Sequence, residues 1–235
     1  MIIRNLHKAY GKTEVLKGVD LALPDGRITA VLGPNGSGKT TLIKTILGMV
    51  IGQKGEISVG GKSIEGDWLY RRDIGYLPQI ARFPENLKLR ELIRMVKDIR
   101  NQPAFDDELS SLFGLEPYLG KPLRNLSGGT RQKVNILIAF MFDCHYLILD
   151  EPTVGLDPLA LIRFKDLLTK KKEAGKAILL TTHMVNLVEE LADEVIFILE
   201  GKIYFQGKIE ALKAQSNDTN LERAIAGILI KQGHV

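Results

Sequence analysis

Cysteine is almost missing from this sequence: the 235 residues hold one, Cys144. A single thiol excludes an internal disulfide framework and a cysteine-based zinc site. Apolar neighbours such as Phe142 and Tyr146 mark it as a buried, inert thiol rather than a nucleophile. Long hydrophobic runs are also missing. The best candidate for a membrane span, residues 134–142, is too short and is interrupted by Asn135. Residues 1–11 hold no apolar stretch of signal-peptide length. The expectation is a cytosolic chain that does not itself cross a membrane. Charge of one sign is in only mild surplus. Lys and Arg number 32 against 28 Asp and Glu, a net charge of +4, which does not indicate nucleic-acid binding without a clustered basic face. There is no internal repeat and no low-complexity tract. Hydrophobic residues make up 45% and charged residues 26%, so the chain is not disordered. Its length suits one domain with a modest subdomain and allows folding without disulfides or structural metal.

Short β-type segments fill the opening third: residues 1–6, 15–23 and 28–32, bounded by turn signals at Tyr10-Gly11, Pro24-Asp25-Gly26 and Gly33-Pro34-Asn35-Gly36. A helical pattern over 39–47 stops at Gly48, and strands are predicted at 56–59 and 74–77. From about residue 86 the character changes. Leu87, Leu92, Ile93, Val96 and Ile99 recur at helical spacing, a second helix covers 106–113, and a third starts near Gly128. Residues 146–149 are a continuous apolar run ending in Asp150-Glu151, the pattern of a buried parallel strand. A helix from Pro158, a strand at 177–180, a helix at 185–191 and a strand at 194–199 complete the alternation. A hairpin then leads into 203–206, and a last helix covers 220–230. This order predicts an α/β fold with a mostly parallel core sheet. The chain reads as a single domain, 1–235, with a helical subdomain at about 80–142 and a short helical extension at about 208–235.

Gly33-Pro34-Asn35-Gly36-Ser37-Gly38-Lys39-Thr40 matches the pattern G-x-x-x-x-G-K-[ST] in full. Glycines let the backbone wrap close to phosphate with its N–H groups pointing inward, and the helix that follows adds its positive end. Lys39 supplies a full charge for β- and γ-phosphates, and the Thr40 hydroxyl suits Mg²⁺. Thr41 extends the nucleotide-binding set. The plainer alternative is a glycine turn into a helix with a surface lysine. Asp150 and Glu151 end a strand, and their side chains must diverge. Asp150 is therefore assigned to Mg²⁺, directly or through water, and Glu151 to the attacking water as general base. Without the phosphate loop the pair would read as a solvated acidic turn before Pro152.

Leu126-Ser127-Gly128-Gly129 follows the helical insertion. With GPNGSGKT and LILDEP it closely resembles the nucleotide-binding subunit of ABC transporters over nearly the whole chain. That resemblance implies a P-loop NTPase core, an antiparallel β-subdomain and a helical subdomain, with ATP and Mg²⁺ as cofactors. It also implies roles residue by residue. Tyr10 would stack on adenine; otherwise it is a turn tyrosine before Gly11. Gln79 resembles the glutamine that reaches Mg²⁺ and the attacking water. His183 resembles the switch histidine that bonds γ-phosphate and Glu151. Asp157 resembles the junction aspartate, and it can also cap the helix from Pro158. Ser127, Gly128 and Gly129 would act on ATP held by a second copy, in a head-to-tail dimer around two nucleotides. One residue departs from the pattern: Thr130 stands where the family usually has glutamine.

The resemblance further implies a separate membrane-spanning permease docking near 79–92, which would hold the subunit at the inner face of the cell membrane. The Asp150–Asp157 stretch and the short C-terminal extension resemble the exporter-type subset. The alternative is a soluble ABC-type ATPase acting on DNA or ribosomes. Members of that kind carry a long coiled coil or zinc modules between the two motifs, or two ATPase halves in one chain, and none of these is present in the sequence. No nucleic-acid partner is expected.

Overall fold

The continuous apolar runs and the interrupted ones go to different sheets. In the computed structural model, which describes residues 1–216 and 218–231, Ile28–Leu32 (β3), Tyr146–Asp150 (β7) and Ala177–Thr181 (β8) are buried along their whole length. Strands covered on both faces must be apolar throughout. With Ile74–Leu77 (β6), Glu194–Leu199 (β9) and Lys202–Gly207 (β10) they form a six-stranded sheet of order β10-β9-β3-β8-β7-β6. Its pairings are parallel except for β10 on β9. The half-exposed strands Ile2–Tyr10 (β1), Thr13–Ala22 (β2), Lys54–Val59 (β4) and Lys62–Ser63 (β5) form a second, antiparallel sheet of order β2-β1-β4-β5. The α/β class with a mostly parallel core is as the sequence predicts.

Some boundaries differ. β1 runs four residues beyond its predicted end at Leu6, to Tyr10, because His7 to Tyr10 pair with β2 across a ladder broken by register shifts. The helix Leu89–Arg100 (α2) starts after Leu87, where the Lys88 N–H donates to Glu91 Oε2 at 2.9 Å. Ile99, which shares the helical spacing of Leu92, Ile93 and Val96, is 75% exposed. Of the extension expected over 208–235, the described part forms Ile209–Ser216 (α7) and Leu221–Lys231 (α8). Residues 217 and 232–235 lie outside the described residues.

Between β6 and β7 the chain is helical: α2, then Asp106–Phe113 (α3), then Gly128–Phe140 (α4). Their apolar faces share one buried cluster with β7 and with Pro158–Glu173 (α5). Phe140 of α4 meets Phe164 of α5 edge to face, with centroids 6.0 Å apart, an arrangement that adds about 1 kcal/mol beyond the buried area. Arg100 closes α2. Its guanidinium donates to the carbonyls of Arg72 at 2.7 Å and Ile74 at 2.9 Å, so the end of this helix is stapled to the start of β6. Cys144 lies beside the same guanidinium and is buried. Burial pushes its thiol pKa up. Native protein should therefore resist alkylation by a maleimide that modifies Cys144 in urea; fast native labelling would contradict this. Among the described residues, no helix is long and apolar enough to cross a membrane.

Candidate functional site

The parallel strands put the chemistry on one edge. Val31 of β3 pairs with Thr181 of β8, Thr181 with Asp150 of β7, and Leu149 of β7 with Leu77 of β6. The carboxyl ends of four strands are therefore level. Gly33, Thr181, Asp150 and the Pro78-Gln79 step leave the sheet side by side, which is where open α/β sheets bind ligands.

Residues 33–38 turn from β3 into Lys39–Ile46 (α1). Only glycine fits at Gly33, since a Cβ there would lie 2.1 Å from the Ile198 carbonyl oxygen. Gly38 precedes the helix with φ 110°, and no side chain caps α1. The first-turn N–H groups of α1 thus have no side-chain acceptor. Ser37 Oγ is buried beside them without a hydrogen-bond partner. Lys39 is buried, and its Nζ donates to the carbonyls of Gly33 at 2.6 Å and Pro34 at 2.9 Å. Burial lowers its pKa, while Glu151 and then Asp150 pull it back up. Uncapped N–H groups, an orphan hydroxyl and a buried cation together fit a polyphosphate anion. Pro34, Asn35 and Gly36 form the outer arc of the loop, and Thr40 and Thr41 open α1.

Asp150 and Glu151 part as their order along a strand requires. Asp150 is buried and accepts from Thr181 Oγ1 at 2.6 Å. Glu151 leaves the strand with φ 48°, a left-handed conformation unusual for a residue with a side chain. Its N–H donates to the Thr181 carbonyl at 3.0 Å. The carboxylate is buried: Oε2 accepts from the His183 N–H at 3.3 Å, and His183 Nε2 stands 3.1 Å from Oε1. Oε1 nevertheless has no partner in hydrogen-bond geometry. Burial raises the Glu151 pKa, against the opposing effect of His183. The Tyr76 hydroxyl on β6, near Asp150, is pushed up to about 12, by burial first and by the aspartate second. Gln79 is exposed, just past the end of β6. The oxygens of Thr40, Asp150 and Gln79 are the hard donors that Mg²⁺ prefers.

The remaining sequence candidates lie apart from this cluster. Tyr10 is exposed, with Lys8 Nζ 5.1 Å from its ring centroid. It ends the strand paired with β2, whose Val15 and Leu16 pack against Gly38. Ser127 caps α4 and accepts from the Thr130 N–H at 3.2 Å, and its Oγ lies 2.9 Å from Thr130 Oγ1. Gly128 and Gly129 follow. A Cβ on Gly129 would lie 2.8 Å from the Gly155 carbonyl oxygen, so a glycine lets α4 abut the 152–157 loop. Asp157 caps α5 by accepting from the Ala160 N–H at 2.8 Å, and it pairs with Lys133 Nζ at 2.6 Å. These contacts hold its carboxyl pKa down, the lysine first. Among the described residues, no hydrogen bond joins Ser127–Gly129 to the 33–41 loop. Thr181, which orients both acids, was not singled out from the sequence; the signal for it was a polar residue ending an otherwise apolar strand.

A family model described as ABC transporter matches residues 16–154. The lantibiotic transport ATP-binding protein SrtF of Streptococcus pyogenes is 33% identical over 208 residues, 87% of this chain and 89% of SrtF. The daunorubicin resistance ATP-binding protein DrrA3 of Streptomyces coeruleorubidus is 31% identical over 221 residues, 92% of this chain and 70% of DrrA3. A solved structure of the ATP-binding subunit of an ABC transporter matches with a TM-score of 0.90 at 29% identity, covering 96% of this chain and 97% of that one.

Proposed function

This chain belongs to the ABC transporter family as an ATP-binding subunit and ATPase, and from that premise we propose that it powers an exporter, working as a head-to-tail pair on a separate membrane-spanning permease. The observation that carries the proposal is the split of the site. Lys39, Asp150, Glu151 and His183 meet at the level strand ends, while the Ser127 corner faces solvent and bonds only within its own turn. A second copy completes the site, in a closed two-fold arrangement.

In this reading the Lys39 ammonium exchanges the Gly33 and Pro34 carbonyls for β- and γ-phosphate oxygens. Backbone N–H groups of 35–41 surround the same phosphates, and Tyr10 stacks on adenine. Thr40, Asp150 and Gln79 hold Mg²⁺, which when bound offsets the charge of the phosphates. Glu151 Oε1, beside the His183 ring but not in hydrogen-bond alignment with it, takes a proton from the attacking water. His183 orients that carboxylate and donates to the γ-phosphate. Ser127, Gly128 and Gly129 of the second copy close on the γ-phosphate, with Asp157 at the junction. The helical subdomain, about 80–142, carries the permease contact near 79–92. Ile80 is 72% exposed there, and on α2 the exposed Met95 and Ile99 line, with Glu91, Arg94 and Asp98, a surface depression of about 440 Å³. Apolar residues exposed together mark an interaction surface. The permease would hold the subunit at the inner face of the membrane. Names of relatives tied to lantibiotic transport and daunorubicin resistance support the outward direction.

Mixing two inactive variants tests the pairing. Lys39→Ala and Ser127→Arg should each lose turnover alone. Mixed chains pair to give one site with both residues intact, so activity should return to at most about a quarter of wild type for random pairing of independent sites. No return would contradict a shared site. Stimulation of ATPase activity by DNA or ribosomes, without a permease, would favour the soluble alternative.

Thr130 also makes a prediction. Its N–H and hydroxyl both lie within reach of Ser127 Oγ. If both donate, they fill the serine's acceptor positions and leave its proton to point outward as a donor. Thr130→Val keeps the N–H and removes the hydroxyl. A neutral hydrogen bond of this kind is worth about 1 kcal/mol, so ATP-dependent pairing should weaken by about fivefold for each of the two sites, up to about 25-fold for the pair, read by analytical ultracentrifugation. Unchanged pairing would show that the hydroxyl is idle.

A further inference from the structure

Two buried amides on α4 have no part in the site as described so far. Gln132 and Asn135 sit one turn apart on the face turned away from solvent, 9% and 2% exposed. Gln132 Nε2 donates to the Pro152 carbonyl at 2.6 Å. Asn135 Nδ2 donates to the Pro78 carbonyl at 2.9 Å and lies 3.5 Å from Gln132 Oε1. The acceptors are backbone carbonyls, so the amide nitrogens must face them. Pro152 directly follows Glu151, and Pro78 directly precedes Gln79. Resting on the reading above, we propose that Gln132 and Asn135 are positioning residues. They tether the Gln79 loop and the Glu151 loop to a single turn of the helix that begins at Ser127, so that the three parts shift together.

The backbone at Glu151 explains why such a tether is needed. A left-handed φ of 48° is disfavoured for a residue with a Cβ. It persists only where the surroundings over-determine it. Thr181 holds the Glu151 N–H from the sheet side, and Gln132 holds the next carbonyl from the α4 side. Release of the Gln132 contact leaves one anchor of two. Asn135 does the same for the Gln79 loop, whose proline supplies no N–H of its own. The pair also gives the exposed segment that follows Gln79 a mechanical route to the acid: Pro78 to Asn135, Asn135 to Gln132, Gln132 to Pro152. Each amide is satisfied by the other or by a loop carbonyl, and a buried polar pair of this kind is costly to break at one member.

The test uses the full chain. Gln132→Met keeps the side-chain length and removes the donor; Asn135→Ala removes the other tether and leaves a smaller gap if the first variant folds poorly. Expected for each is a fall in kcat of about tenfold or more, with ATP Kd within about twofold of wild type, because neither amide belongs to the nucleotide contacts. The double variant should cost less than the product of the singles, since both act through one tether. Hydrogen exchange should speed up at both 79–85 and 151–157 in each single variant. The proposal is overturned if folded single variants keep kcat within twofold, if Kd rises in step with the fall in kcat, if the double variant equals the product, or if exchange changes at one loop only. Glu151→Gln measured in parallel separates the two claims: full turnover in that variant sinks the motor reading itself, whereas its loss beside normal Gln132→Met kinetics sinks only the tether.

Discussion

Glu151→Gln should retain ATP binding, lose turnover by about 10²- to 10⁴-fold, and run as a dimer on size-exclusion chromatography in Mg-ATP. The rate loss is what a positioned general base contributes. The change is nearly isosteric, so Oε2 can remain an amide oxygen that accepts from the His183 N–H. What disappears is the basicity of the carboxylate, whose Oε1 is buried and lacks a hydrogen bond in this chain. A base locked by well-aligned donors at both oxygens would have little reason to take a proton from water; this one accepts a backbone N–H at Oε2, and at Oε1 it has the His183 ring 3.1 Å away without hydrogen-bond alignment. The dimer follows because both nucleotides stay intact between the copies when hydrolysis is blocked. A monomer in Mg-ATP with wild-type turnover would remove the acid from the mechanism.

Lys39→Ala should weaken ATP binding by about 10- to 100-fold in calorimetry, the range expected for loss of a charge-assisted contact worth about 1.5–3 kcal/mol. The fold should survive. Lys39 Nζ holds the Gly33 and Pro34 carbonyls, yet both carbonyls lie in a loop at the protein edge where water can replace it. Burial already holds the lysine pKa down, so the ammonium is less well solvated here than in water and gains more from meeting a phosphate. An unchanged Kd would mean that the backbone N–H groups and the end of α1 carry the binding without it.

Parts of this molecule declare themselves in short stretches of sequence. The phosphate loop, the Leu126–Gly129 corner and the acid pair are local patterns, each needing particular residues at consecutive positions. The buried strands of the core sheet declare themselves in the same way, by unbroken apolar runs. Other parts do not. Gln132 and Asn135 look like ordinary polar residues of an amphipathic helix; only the packing of α4 beneath two loops makes them interior. Thr181 ends a strand, and its role depends on Asp150, a direct neighbour in the ladder that lies 31 residues away in the chain. Ile99 fits helical spacing but points outward, because spacing identifies a stripe and not what covers it. β1 extends to Tyr10 through pairing with β2, a tertiary effect that outweighs the polar residues along it.

Arg100 has a mechanical consequence. One planar guanidinium grips two carbonyls at the entry to β6, a fork geometry that resists rotation better than a single-point contact. A push on the outer face of α2 therefore cannot simply swivel the helix about its last turn. The load passes to the root of the strand whose far end delivers Gln79, and the helix and strand act as a crank with its pin at Arg100.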